Sequence, residues 1–298
     1  MKFAVLASPD SWYARDLTRA AAADHEIVVL PFSEISASVS LTSDLRPLNS
    51  IHTAGRDLAD FDAVLVRTMP PGSLEQVVFR MDCLARHEAA GGVVINPARA
   101  IEAAVDKFLT TAKLQAAGLL TPRTICCQTA DEAMLVFEQL GHDIVLKPLF
   151  GSEGRGITRL TDENFALRAF RMLTQLGAVL YLQEFIEHEG HDIRLLVIGD
   201  RILGMRRENK LDWRTNISRG AIAEPFIPDD SLIEIARRAS AAVHAPLAGV
   251  DLLPGRNGRL YTIEVNAVPG WKGLAKALNL DVARLVLDFI SQTVRHKT

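Results

Sequence analysis

Two carboxylates and one side-chain amide stand near the C-terminal end of the chain, inside segments that are otherwise apolar. Asp251 lies in the run GVDLL, and Glu264 and Asn266 lie in the run TIEVN. Side chains two residues apart on a strand share a face, and pairing of the two runs would bring Asp251 alongside them. Such hard oxygen ligands suit a Mg²⁺ ion held together with nucleotide phosphates. The alternative, a solvated polar face of an edge strand, is disfavoured because apolar residues flank all three.

A glycine-rich turn and two lysines precede these residues. Residues 151–156 read GSEGRG, and the exposed backbone N–H groups of such a turn can close over phosphate oxygens. It is not a Walker loop, because no GK[ST] follows and the next predicted element is a strand. Lys147 ends the apolar run IVLK and could neutralise phosphate charge, with Lys107 as a second candidate. Taken singly, these features also fit a simple turn, a strand lysine that reaches the surface and a solvated helix residue.

Arginines form a third group of candidates. Guanidinium groups bind phosphate or carboxylate through parallel hydrogen bonds, so this group is expected to hold anionic substrates. Arg194 and Arg214 are the first choices, and surface positions account for some of the others. The group consists of Arg194, Arg206, Arg207, Arg214 and Arg219.

The elements that must position these residues fall into two patterns. Over residues 1–97, short apolar strands alternate with helices, and Ser73 is placed to cap one of those helices. This alternation predicts a parallel sheet with helices on its faces. Residues 33–55 are polar and weakly patterned, and we assign them to loop or edge structure. From residue 98 onward, the pattern predicts an α+β arrangement with antiparallel hairpins, one of them turning at Asn257-Gly258.

Composition excludes several classes of protein. The 298 residues carry 33 Lys and Arg against 36 Asp and Glu, a formal net charge of −3, so no basic excess points to nucleic acid. The cysteines Cys83, Cys126 and Cys127 form no CxxC pair, which disfavours a disulfide framework or structural zinc. No apolar stretch reaches the length of a membrane helix, and the N-terminal run is too short for a signal peptide. We expect a cytoplasmic protein.

In their order along the chain, these residues resemble the ATP-grasp superfamily. The resemblance is strongest to the branch of the ribosomal protein S6 modification enzyme and its glutamate-ligase relatives (RimK type), and it covers roughly residues 98–298. Each motif alone is unspecific, whereas their ordered combination is specific. The resemblance rests on Asp106-Lys107, Lys147, residues 151–156, the QEFI run at 183–186, Asp192, Arg194, the RTN run at 214–216, Asp251, and Glu264 with Asn266.

The resemblance implies an α/β N-terminal domain (1–97) and an ATP-grasp domain (98–298), whose subdomains 98–186 and 187–298 clamp ATP. By that analogy Asp192 lies near the ribose, and one or two Mg²⁺, or Mn²⁺, occupy the metal site. The phosphates would be contacted by Lys107 and Lys147 and covered by Gly151, Ser152, Gly154 and Gly156. Adenine would lie against Gln183, Glu184, Phe185 and Ile186. Arg214 and Asn216 would also contact the nucleotide, and Asp251, Glu264 and Asn266 would bind metal.

The implied reaction joins a carboxylate to an amine. A substrate carboxylate attacks the γ-phosphate of ATP, and the amine of L-glutamate displaces phosphate from the acyl-phosphate. Lys147, Arg194 and Arg214 would stabilise the transferring charge. The acceptor is expected to be a small carboxylate-bearing molecule such as a pterin coenzyme. A protein or peptide C-terminus is the alternative, and a nucleotide-binding module without turnover is a third interpretation. The enzyme could also form a homo-oligomer.

The acceptor site is expected to involve the N-terminal domain. Arg67 stands at the C-terminal end of a predicted parallel strand, where ligands of open α/β sheets gather. We expect the acceptor carboxylate to reach Arg67, with Arg194 and Arg219 supplying further charge from the ATP-grasp domain. Trp271 would offer an aromatic wall to a ring or apolar stem. The alternative is a surface arginine that caps a helix or pairs with Glu75.

Overall fold

A computed structural model describes residues 1–41, 47–151, 154–217 and 220–297. Over these residues the strands form four sheets. The strands are β1 Lys2–Leu6, β2 Glu26–Leu30, β3 Ser36–Leu41, β4 Pro47–Thr53, β5 Arg56–Asp57, β6 Ala63–Val66, β7 Val94–Ile95, β8 Thr124–Cys127, β9 Ile144–Lys147, β10 Thr158–Leu160, β11 Leu180–Glu184, β12 His191–Ile198, β13 Arg201–Glu208, β14 Ile222–Phe226, β15 Leu247–Pro254 and β16 Leu260–Asn266. The helices are α1 Trp12–Ala21, α2 Leu74–Ala89, α3 Ala98–Val105, α4 Lys107–Ala116, α5 Ala130–Gln139, α6 Glu163–Gln175, α7 Asp230–Ala242, α8 Lys272–Leu278 and α9 Val282–Lys297.

The predicted parallel sheet is confirmed. Its order is β2-β1-β6-β7, with all three pairings parallel. Strands β1 and β6 are almost entirely buried, as expected for a sheet covered on both faces. Because the chain runs from β1 outward to β2 on one side and then to β6 on the other, the strand order reverses between β1 and β6. Such a reversal opens a crevice at the carboxyl ends of the strands.

Residues 33–55 form more structure than the sequence predicts. Strands β3, β4 and β5 make a three-stranded antiparallel sheet, with Ser36 opposite His52 and Leu41 opposite Pro47. The sequence of β3, SASVSL, alternates serine with apolar residues, but every residue of the strand is exposed, so this alternation does not mark a face packed on a core. The part of the predicted segment at residues 42–46 lies outside the described residues.

The second sheet has a core of its own. Strands β10-β9-β11-β8 pair antiparallel, and helices α5 and α6 pack against them. The buried residues of this cluster all lie between Cys127 and Leu182. Phe137 and Phe170 are fully buried within it.

The third sheet, β14-β13-β12-β15-β16, shares its cores with the N-terminal sheet. One cluster joins Leu6 and Val66 to Leu195 and Val250, and α7 contributes further residues to it. Helices α3 and α8 and strand β14 were not predicted. α3 runs directly into α4, α8 has only seven residues, and β14 contains Pro225 at the sheet edge, where a missing N–H is tolerated.

The first and last helices lie side by side. α1 packs against α9, and Val286 and Ile290 of α9 enter the same cluster as Phe3 of β1. Ion pairs flank this contact, with Arg19 bound to Asp281 at 2.7 Å. No helix within the described residues is both long and apolar enough to cross a bilayer.

Candidate active site

Three neighbouring strands bring the predicted metal ligands into one row. Arg194 of β12 is opposite Asp251 of β15, and Asp251 is opposite Glu264 of β16. Asn266, two residues along, is opposite Gly249, so it lies on the same face as Glu264. The pairing of strands around Asp251, expected from the sequence, is therefore present. Its carboxylate oxygens and the neighbouring Glu264 are hard ligands of the kind that Mg²⁺ takes.

Asp251 is held by two guanidinium groups. Arg194 Nη1 donates to both carboxylate oxygens at 2.9 and 3.1 Å, and Arg207 Nη2 lies 3.0 Å from Oδ2. Burial of Asp251 opposes its ionisation, but Arg194 and Arg207 outweigh burial and hold the pKa of this carboxyl below its ordinary value. Asp251 is consequently an anion at neutral pH, which a metal ligand requires. Arg207 was predicted, with the other arginines, to hold anionic substrates, whereas in the structure its guanidinium binds Asp251 and Asp192.

Asp192 anchors the second of these arginines. Arg207 Nε and Nη2 donate to its two oxygens at 2.7 and 2.5 Å, and Thr215 Oγ1 donates at 2.5 Å. Asp192 and Arg207 are both buried. In this conformation the carboxylate of Asp192 is engaged inside the sheet, and its expected place near a ribose stays a prediction. The contact could have been inferred only from the cross-strand pairing of Asp192 with Arg207.

Glu264 is the unpaired carboxylate of the row. It makes no hydrogen bond or ion pair with the described residues, and it is only half-buried. Its charge acts on Lys107 of α4 and on Lys147 across the cleft, and it opposes the lowering of their pKa values that burial causes. Among the described residues, no group of three or more His, Cys, Asp or Glu side chains is arranged to hold a metal ion. A cation here would therefore need oxygens from a phosphate as well.

Lys147 lies on the opposite wall and joins a chain of buried polar groups. Its ammonium donates to Gln183 Oε1 at 2.6 Å, and Gln183 Nε2 donates to Thr124 Oγ1 at 2.8 Å. Tyr181 OH accepts from Gln183 Nε2 at 3.2 Å and lies 2.8 Å from Thr111 Oγ1. Burial lowers the pKa of Lys147 to about 8, an effect that Glu264 opposes and Lys107 reinforces. The side chain of Gln183 thus positions the lysine.

The predicted adenine segment, residues 183–186, lines the same cleft, together with Ile157 and Trp213. Glu184 uses its carboxylate to accept from Arg123 N at 2.8 Å, which ties the segment to β8. The Phe185 ring lies 5.6 Å from the ring of Trp213 in an edge-to-face contact. Ile186 also faces the cleft. The arrangement offers an apolar slot beside main-chain groups.

The glycine-rich turn is bonded to Lys107 at one end and lies close to Asn216 at Gly154. Lys107 Nζ donates to Gly151 O at 2.7 Å, and a Cβ built on Gly154 would lie 2.5 Å from Asn216 Oδ1. Gly154 and Gly156 have φ values of +69° and +72°, so the turn needs glycine for conformation as well as for space. The predicted contacts of Ser152 and Arg219 lie outside the described residues.

Arg214 is turned toward a neighbouring carboxylate. Its Nη2 donates to Asp212 Oδ2 at 2.6 Å, and its Nη1 contacts Ile157 O at 3.4 Å. The hydrogen bond to Asp212 raises the pKa of Arg214. Arg214 lines the cleft, but its assigned part in charge stabilisation stays a prediction.

Arg67 and Trp271 contact each other, and Trp271 does not form the expected aromatic wall for a ligand. Trp271 is completely buried, and its Nε1 donates to Asp16 Oδ2 at 3.0 Å. The Arg67 guanidinium lies 4.3 Å from the centre of the Trp271 ring. The indole face that was expected to receive an acceptor therefore contacts the arginine. Arg67 is 5% exposed, so it is not the surface arginine of the alternative interpretation.

Comparison with known proteins decides the family. A model of the RimK-like ATP-grasp domain matches residues 104–290. The chain belongs to the RimK-like ATP-grasp family. It is an ATP-grasp ligase, an enzyme class that couples ATP use to amide-bond formation. The predicted resemblance and the ATP-grasp fold class are thereby confirmed.

Named relatives of this ATP-grasp ligase act on different acceptors. The tetrahydromethanopterin:alpha-L-glutamate ligase of Methanosarcina acetivorans is 31% identical, over 96% of this chain and 97% of that protein. The ribosomal protein bS6–L-glutamate ligase of Escherichia fergusonii is 31% identical, over 100% and 97%. Among solved structures, the ATP-grasp ligase PsnB in complex with a phosphomimetic precursor variant, Mg and ADP has a TM-score of 0.75 at 24% identity, covering 98% of each chain. That likeness supports the fold alone.

Proposed function

We propose that this ATP-grasp ligase adds L-glutamate to a small carboxylate-bearing acceptor of the pterin-coenzyme type, in the cytoplasm. The observation that carries the proposal is the row of Arg194, Asp251 and Glu264 on three adjacent strands, facing Lys107 and Lys147. Carboxylates that could hold a metal ion, with lysines close enough to contact phosphate oxygens, suit a triphosphate bridged by metal. The match to the tetrahydromethanopterin ligase over nearly the whole chain supports the acceptor class.

Asp251, Glu264 and Asn266 would hold Mg²⁺, with Mn²⁺ as a possible substitute. The donor set fits such an ion, because Glu264 makes no other bond with the described residues and Asp251 is kept ionised. A bound divalent ion would neutralise phosphate charge and polarise the bond to the transferring group.

The protein's own residues position the reacting groups. Lys147, fixed by Gln183, would contact phosphate oxygens from one wall. Arg194 of β12 binds the carboxylate of Asp251 in the structure. From that position it would stabilise charge on the transferring group. The turn at Gly154 and Gly156 would exclude water, which protects an acyl-phosphate from hydrolysis. The glutamate amine would then displace phosphate without a covalent enzyme intermediate.

The experiment combines ADP release with a mass measurement. Purified enzyme, ATP, Mg²⁺ and L-glutamate are incubated with tetrahydromethanopterin, and the product mass is determined. We expect acceptor-dependent ADP release and a mass increase of one or more glutamyl residues. ADP release with no glutamyl product from any pterin acceptor would contradict the acceptor class.

A protein acceptor is the second candidate. It is favoured by the bS6–glutamate ligase match, which covers the full chain at 31% identity. The same assay with ribosomal protein bS6 distinguishes the two candidates, because a glutamylated protein gains mass on its C-terminal peptide. No ADP release with either acceptor would contradict both candidates and would assign the ligase a different acceptor.

A further inference from the structure

The guanidinium of Arg67 has more hydrogen-bond donors than partners. Its Nη2 donates to Pro269 O at 2.8 Å, whereas Nε and Nη1 are buried and have no partner among the described residues. Arg67 is 5% exposed. Leaving buried charged donors without acceptors costs more than the loss of an ordinary hydrogen bond. A second, anionic group is the simplest partner for such a site.

Two aromatic rings hold this guanidinium in place. Its central carbon lies 4.7 Å from the centre of the Tyr13 ring and 4.3 Å from that of Trp271. Stacking on aromatic faces favours the cation but supplies no hydrogen-bond acceptor in the guanidinium plane. Because Nη2 carries a second hydrogen, either Nε or Nη1 can join it in a two-point contact with a carboxylate.

The position of Arg67 fits a substrate site. Arg67 follows β6, and its backbone N–H donates to Leu6 O of β1 at 2.9 Å, so it lies where the strand order reverses. Pro269, its bonding partner, is three residues beyond the candidate metal ligand Asn266. Three residues span at most about 11 Å, which is a distance that a small substrate can bridge.

We propose that Arg67 binds a carboxylate of one of the two organic substrates, with Tyr13 and Trp271 as positioning residues that hold its guanidinium. The proposal rests on the proposed function, because L-glutamate and a carboxylate-bearing acceptor are the two sources of such a group. It replaces the expected aromatic wall with an aromatic clamp on the arginine.

A substitution at Gly270 tests the contact between Tyr13 and Arg67 without changing either residue. A Cβ built on Gly270 would lie 2.5 Å from Tyr13 OH and 3.3 Å from Tyr13 Cζ. The Gly270→Ala substitution must therefore displace the Tyr13 ring from Arg67 while leaving the arginine in the chain. Adding Tyr13→Phe removes the hydroxyl that the new methyl group meets and restores the ring.

The test measures binding of L-glutamate and, separately, tetrahydromethanopterin by calorimetry, with Mg²⁺ and a non-hydrolysable ATP analogue present. Arg67→Lys and Arg67→Gln are compared with Arg80→Lys. Arg80 is a matched control, because it is also 5% exposed and donates to a proline carbonyl, Pro70 O, at 2.8 Å. Thermal unfolding confirms that each variant folds.

The Arg67 variants should bind one of the two ligands on the order of 10- to 100-fold more weakly, with nucleotide affinity unchanged, and the weakened ligand identifies the source. Gly270→Ala should show part of that loss, and Gly270→Ala with Tyr13→Phe should recover it. An equal loss for the nucleotide, an equal loss in Arg80→Lys, or no carboxylate binding by the parent protein would overturn the assignment of Arg67. Glutamyl transfer by the parent enzyme is scored separately, so the assignment of Arg67 can fail while the proposed function stands.

Discussion

The two walls of the cleft belong to regions that are built differently. Residues 124–184 carry a sheet and two helices whose buried cluster is drawn from that stretch alone. The facing region draws its clusters from both ends of the chain, joining Phe3 to Ile290 and Leu6 to Val250. A region with a private core can shift as a unit, whereas a region with a shared core resists local change. The cleft therefore has one wall suited to movement and one suited to fixed geometry.

The two walls also differ in the charged residues that they carry. The fixed wall carries Asp251 and Glu264, and the other carries Lys147 and the glycine-rich turn. Hydrogen bonds across the gap include those from Lys107 Nζ to Gly151 O and from Arg214 Nη1 to Ile157 O. Closure would bring opposite charges together over a nucleotide. Four experiments test this division, and the largest expected effect comes first.

Removing the carboxylate of Glu264 should abolish catalysis and leave the stability of the fold unchanged. Loss of a metal ligand costs several kcal/mol of charge stabilisation, so Glu264→Gln and Glu264→Ala should lower kcat at least about 10³-fold. Because Glu264 makes no hydrogen bond with the described residues, the Tm should stay close to that of the parent. ADP release and thermal unfolding measure the two effects. Exposed Glu224 is the control site, and ordinary ADP production by Glu264→Ala would contradict the metal assignment.

Truncating one core side chain in each region should show that the two regions unfold separately. Phe170→Ala leaves a cavity in the private core and should destabilise it by about 3–5 kcal/mol. Leu195→Ala, in the shared core, should cost about 2–5 kcal/mol. Both side chains are fully buried. Hydrogen exchange followed by mass spectrometry should show faster exchange in residues 124–184 alone for Phe170→Ala. Faster exchange throughout the chain in that variant would mean that the small region does not unfold separately.

The glycine-rich turn should matter for closure more than for stability. Gly154→Ala and Gly177→Ala both place a side chain at positive φ, +69° and +73°, and each should cost about 1–2 kcal/mol. Only the Gly154 methyl group meets a neighbour, Asn216 Oδ1. We therefore expect similar Tm values, with kcat lowered only in Gly154→Ala. Gly156→Val should behave like Gly154→Ala, because its Cβ meets Pro148 Cγ at 2.8 Å. Full activity in both would reduce the segment to a simple turn.

The smallest effect concerns the pH dependence of the movable wall. The pKa of Lys147 is lowered from 10.5 to about 8 by burial, so the free protein loses this charge as the pH rises through 8. ATP affinity should then fall by up to about tenfold per pH unit above 8. The unfolded chain keeps this proton up to a pH of 10.5. Between pH 8 and 10.5 only the folded protein has released it, so the free energy of unfolding should increase with pH in this range.

Lys147→Met is the control for that titration. It should bind ATP weakly at every pH and should lack the slope above pH 8. Calorimetric ATP titrations between pH 7 and about 9.5 in parent and variant measure both. The same slope in the two proteins would assign the titration to another group.

Local signals in the sequence predicted local structure well. Ser73, the predicted cap, does cap α2, and it forms a capping box with Gln76. These contacts span three residues, so residue types alone determine them. The row of Asp251 and Glu264 could also be predicted, because two apolar strands around an Asn-Gly turn can pair in few ways.

Contacts between distant segments could not be predicted. The bond from Arg207 to Asp192 depends on the register of β12 and β13, and a shift of one residue would turn either side chain to the other face. The clamp on Arg67 joins residues 13, 67 and 271, which only the contact of α1 and the end of β6 with the segment before α8 brings together. Charge and position marked Arg67 as a candidate, but they gave no information about its neighbours.

The contact between α1 and α9 has a consequence for biosynthesis. One face of the parallel sheet is covered in part by Val286 and Ile290, which belong to the last helix. During translation that face stays open to water until α9 has been made, although β1 is made long before it. Synthesis of α9, rather than completion of the parallel sheet, is then the event that closes this core. A truncated chain lacking residues 282–297 should be retained by chaperones or degraded.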